Sequence, residues 1–79
     1  MENSIGKHFE KLDFATKLSI VRRGGKLIAS RQSEGSAVSL FEIFGFYVEV
    51  IFEVGTNHIS RIELLPKKLI LKYYALRVK

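Results

Sequence analysis

Two glutamates, Glu49 and Glu63, are the nearest approach in this sequence to a catalytic carboxylate pair, since adjacent strands would set them side by side. Such a pair works as acid and base when burial separates the two pKa values. Beside Arg61, on a half-exposed strand face, they read instead as solvated charges. His8 and His58 are the only histidines, and there is no cysteine. Neither has a second histidine or cysteine at ligand spacing, so zinc binding and general-base chemistry lack convergent groups, and no serine or threonine gains an activating base. Arg22-Arg23-Gly24-Gly25 has the composition of a phosphate loop, but such loops run from strand into helix and this one runs the other way; a helix C-cap is the simpler reading. Lys67, Lys68 and Lys72, followed by Tyr73 and Tyr74, combine cations with rings, the composition of a nucleic-acid surface or of a wet helix laying its tyrosines on a sheet. Nothing here specifies an enzyme, a cofactor, a metal or a small-molecule ligand.

The elements that must position these groups belong to a chain of 79 residues, 47% hydrophobic, carrying a formal charge of +5. That is one small domain, residues 1–79, with a core that has to be efficient. No apolar run approaches the roughly 20 residues of a membrane span, and the first residues lack the pattern of a secretory signal, so a cytoplasmic location is expected. The charge is uneven. Residues 1–31 hold seven Lys or Arg against three acids, residues 32–60 hold four Glu and no Lys or Arg, and residues 61–79 hold six Lys or Arg against Glu63. Basic ends around an acidic middle suit either an anionic partner or attraction between the chain's own parts.

Ile5, Phe9 and Leu12 repeat at helical spacing after Ser4, a good N-cap, and Phe14, Leu18 and Val21 repeat after Asp13, another. One helix bent at Asp13 and two short helices fit equally. Gly24-Gly25 then closes the helix, a place where left-handed glycine is inexpensive. Four strands follow, Lys26 to Gln32, Ser36 to Glu42, Phe46 to Val54 and His58 to Leu65, joined by three-residue loops of the bulged type I kind. The spacing predicts an α+β fold: a four-stranded antiparallel meander, order 1-2-3-4, with the N-terminal helices on one face. Pro66 to about Val78 reads as a C-terminal helix striped by Leu69, Tyr73 and Leu76, although its alternation also suits a fifth strand.

Equal three-residue loops would set the register. Ile28 then faces Leu40, Leu40 faces Val48 and Val48 faces Leu64, with Val38, Val50 and Ile62 alongside in one dry face. The other face would carry Leu27, Phe41, Tyr47 and Leu65 as an apolar row too large to leave in water.

Gly45-Phe46-Tyr47-Val48-Glu49-Val50, with Thr56-Asn57-His58-Ile59-Ser60-Arg61-Ile62 downstream, resembles a group of small, uncharacterised bacterial proteins. In these, a Gly-Phe-Tyr-Val-Glu-Val strand precedes a Thr-Asn turn and an Arg-Ile strand. The likeness runs from about Gly24 to Leu65 and departs at Val54-Gly55, where an Asp is expected, and in the basic tail. It implies the sheet and carries over no functional residue.

The preferred functional reading is a non-enzymatic interaction module, a homodimer or a binder of another protein, joined through the Leu27, Phe41, Tyr47 and Leu65 row or a sheet edge. The alternative is a small nucleic-acid binder using Arg22, Arg23, Lys67, Lys68 and Lys72.

Overall fold

The computed structural model describes residues 4–56 and 58–75. Expectations that fall on the Ser4 side chain, on Asn57 and on Leu76 to Val78 lie outside them. Helices α1 (Ser4–Glu10) and α2 (Phe14–Gly24) precede strands β1 (Lys26–Ser33), β2 (Ser36–Ile43), β3 (Phe46–Glu53) and β4 (His58–Leu65), and helix α3 (Lys67–Tyr74) follows. The strands form one antiparallel sheet in the order β1-β2-β3-β4, the expected α+β meander.

Asp13 divides the leading helices. Its backbone is extended, and its carboxylate accepts a 2.8 Å hydrogen bond from the Thr16 N–H, satisfying a donor that the first turn of α2 leaves open. At the other end of α2 the reason for glycine differs from the expected left-handed cap. Gly25 is extended, with φ −81°, and a Cβ there would stand 2.6 Å from the Val21 carbonyl oxygen. Close packing, not positive φ, demands glycine here.

The register of the central hairpin departs from expectation by one residue. Phe41 lies opposite Val48 and Leu40 opposite Glu49, because the β2–β3 loop is two residues long, not three. Phe44 at φ 48° and Gly45 at φ 88° both occupy the left-handed region, the signature of a type I′ turn. Its twist matches that of the flanking strands. A one-residue slip sends every side chain to the opposite face, so Leu40 and Val38 part company with Val48 and Val50. Pairing of Val48 with Leu64 and of Val50 with Ile62 is as expected. The first hairpin departs as well: its loop is also two residues, Glu34 and Gly35, and Leu40 lies opposite Ala29, not the expected Ile28. Register shifts occur at Ile28 in β1 and near Ser60 in β4, the two edge strands, while β2–β3 pairs without interruption.

Each face of the sheet acquires its own core. Phe9 and Val21 of the leading helices pack on Phe46, Val48, Val50 and Ile62, with Ile43 below them. On the opposite face Ile70 of α3 is fully buried against Leu40, Tyr47 and Leu65, joined by Ile28, Leu69 and Tyr74. The expected stripe on α3 is thereby rotated: Ile70 and Tyr74 point inward, while Tyr73 is exposed. Burying a side chain such as Ile70 contributes about 2 kcal/mol. Coverage on both sides explains why β3 buries all six residues from Phe46 to Ile51, Glu49 among them.

Candidate functional site

The apolar row expected to form an interaction surface does not exist as a row. Leu27 and Phe41 pair on the face of α1 and α2, whereas Tyr47 and Leu65 pair on the other face. The β2–β3 slip separates them. Tyr47 and Leu65 are 7% and 6% exposed because α3 lies on them, and Phe41 packs beneath Gly25. Leu27 alone of the four is exposed.

The strongest polar arrangement is under α3, centred on Glu49. This carboxylate is 5% exposed, contrary to the solvated position expected of it. Its Oε2 accepts hydrogen bonds from Arg31 Nε at 3.2 Å and from the Tyr74 hydroxyl at 2.6 Å, and Arg31 completes an ion pair at 3.1 Å. The guanidinium also lies over the Tyr73 and Tyr74 rings, 4.8 and 5.6 Å from their centroids. Burial opposes the Arg31 charge, but Tyr74 and Glu49 outweigh it and raise the pKa of Arg31. Burial, followed by the hydrogen bond and charge of Glu49, pushes the Tyr74 phenol well above its ordinary range. Glu63 does face Glu49 across β3 and β4, yet it is held by Arg61 at 2.9 Å and takes no part. With Oε2 shared between Arg31 and Tyr74 beneath α3, this carboxylate fastens α3 across the sheet.

The tail tyrosines are therefore committed internally, and the cations gather elsewhere. In an antiparallel meander β1 starts, the β2–β3 turn lies and β4 ends at the same end of the sheet. Lys26 accordingly pairs with Glu42 two residues from Phe44, and Leu65, opposite Tyr47, leads through Pro66 into Lys67 and Lys68. Arg22 and Arg23, in the last turn of α2, reach that end too: a Cβ on Gly24 would lie 3.8 Å from Phe44 Cζ. Arg22, Arg23, Lys26, Lys67 and Lys68 are all exposed, with Glu42 the acid among them. Lys72 lies apart, in the last turn of α3 on its way to β1. At the tip stands Phe44, 69% exposed, with Leu27 also exposed nearby. The opposite end carries Glu34, Gly35 and Glu53.

Sequence reasoning missed Arg31, Lys26 and Phe44 as site residues. Lys26 was legible once the helix end and the strand start were seen to meet; Phe44 was hidden because phenylalanine is not a turn residue. His8 is exposed in the last turn of α1, and His58 Nδ1 lies 2.6 Å from Thr56 Oγ1 in an exposed turn. Among the described residues no three His, Asp or Glu side chains are grouped to hold a metal, and no helix is long and apolar enough to cross a membrane. An open groove of about 340 Å³ runs along the outer side of α2 from Phe14 and Leu18 to Arg22 and Arg23, ending at the basic end of the sheet. Compared with family models, with curated proteins and with solved structures, the chain matches none.

Proposed function

We propose that this chain is a small non-enzymatic binding module whose basic end engages nucleic acid. The observation that carries the reading is topological: cations remote in sequence, Arg22 and Arg23 from one helix, Lys26 from a strand, Lys67 and Lys68 from another helix, converge around one sheet end. Phosphates attract such a cluster by releasing counterions, a contribution that needs no pocket. A cytoplasmic setting goes with that partner.

Self-association through the sheet has less in its favour. One face is roofed by α1 and α2 and the other by α3, while each edge strand carries a register irregularity, at Ile28 and near Ser60. Bulges on edge strands discourage the addition of a further strand.

Fluorescence anisotropy with a labelled oligonucleotide tests the reading. Affinity should fall steeply with salt, and Lys67→Gln with Lys68→Gln should reduce the log–log salt slope by about 0.7 per lost contact on single strands. Absence of binding at low salt would remove nucleic acid as the partner.

A further inference from the structure

Phe44 is the wrong residue for its position if folding alone chose it. The first corner of a type I′ turn takes positive φ, which Asn, Asp and Gly accept and which a bulky side chain resists. Phe44 nevertheless adopts φ 48°, and it leaves 69% of its surface in water. Backbone strain and apolar exposure thus coincide in one residue. Strained backbone of this kind clusters at functional sites, which makes an exposed ring held there a candidate contact for a ligand.

Its surroundings identify what that ligand is. The turn projects from the end of the sheet between the end of α2 on one face and the start of α3 on the other. Arg22 and Arg23 flank it on the first side, Lys67 and Lys68 on the second, with Lys26 beside it in β1. A polyanion crossing this end from one face to the other meets cations, then the ring, then cations. We infer that Phe44 is a stacking platform for an unpaired base of single-stranded nucleic acid, with the flanking cations holding the adjacent phosphates. This rests on the basic-end reading and adds the ligand's class to it. Single strands are favoured over duplex because bases already stacked inside a helix offer no face to a ring at the tip of a projecting turn. An acidic protein would satisfy the cations equally, but to use the ring it would need an apolar pocket of its own, whereas every unpaired base brings a face that stacks.

The test uses the full chain, short labelled oligo(dT), a duplex of matched length and polyglutamate as a competitor. Phe44→Asn suits the turn better than the native residue, so it should raise the melting temperature while weakening oligo(dT) binding by about ten-fold or more, the scale of one lost base–ring stack. Phe44→Trp should retain affinity, and single strands should be preferred to duplex. Oligo(dT) affinity unchanged in Phe44→Asn would overturn the stacking assignment and leave the basic-end reading standing. So would tighter binding to duplex, or displacement by polyglutamate as effective as by unlabelled oligo(dT). No binding of either nucleic acid to the native chain would instead overturn the basic-end reading itself.

Discussion

The hydroxyl of Tyr74 donates a 2.6 Å hydrogen bond to Oε2 of Glu49, joining the last turn of α3 to the middle of β3 across 25 residues of sequence. Glu49 in turn reaches Arg31 on the edge strand, so one carboxylate connects three elements. Removing a partner from a buried charge leaves its desolvation uncompensated. Tyr74→Phe should therefore lower stability by about 2 kcal/mol, on the scale of a hydrogen bond to a charged group. A denaturant melt indistinguishable from the native chain would contradict the fastening role.

The same phenol gives a pH dependence at the alkaline end. Burial and Glu49 raise the Tyr74 pKa above the ordinary 10.0, and burial with the charge of Glu42 raises that of Tyr47. Above the ordinary value the unfolded chain gives up protons that the folded chain retains. Stability from these groups is thus complete below about pH 10 and is lost as pH climbs beyond it. In Tyr74→Phe that decline should be shallower, as read by melts across an alkaline series. At the acid end the sign reverses: hydrogen bonds from the Thr16 side chain and backbone lower the pKa of Asp13, so its contribution is present above the ordinary carboxylate range and is lost as pH falls through it. Asp13→Ala should remove that acid sensitivity of α2.

Backbone geometry gives opposite signs to two exchanges between glycine and alanine. Gly25→Ala brings a methyl carbon within 2.6 Å of a carbonyl oxygen that cannot move without unwinding α2, and should destabilise severely. Ala75→Gly should do the reverse. Ala75 ends α3 at φ 56°, and relieving a left-handed alanine contributes about 1 kcal/mol, seen as a higher melting temperature with oligonucleotide binding untouched.

The central register can be checked without mutation. A two-residue turn makes Ile43 and Phe46 the hydrogen-bonded pair, which places Leu40 and Glu49 in the closely spaced class of antiparallel partners. A nuclear Overhauser contact between their α-protons is expected. A contact between Leu40 and Val48 in its place would restore the three-residue loop.

Much of this architecture was legible before any coordinates. Alternation and turn residues gave four strands in order, and Asp13 announced a helix start through its side-chain chemistry. The interaction row failed at one point, the reading of Ile43-Phe44-Gly45 as a three-residue loop. Turn propensities describe what a fold prefers, and Phe44 departs from that preference, so the residue that misled the register is the one argued to face a ligand. The partnership of Arg31 with Glu49 was not readable. It depends on α3 excluding water above them, and Ile70 and Tyr74 do that from a stripe rotated away from the periodic one.

Five cations and Glu42 at one end of the strands, with Glu34 and Glu53 at the other, make the charge at the two ends of the sheet unequal. In the field of a polyanion such a body turns during its approach, before any surfaces meet. The hairpin tip then arrives first, so the rate of productive encounter, as distinct from its strength, is governed by where the meander deposits its chain ends.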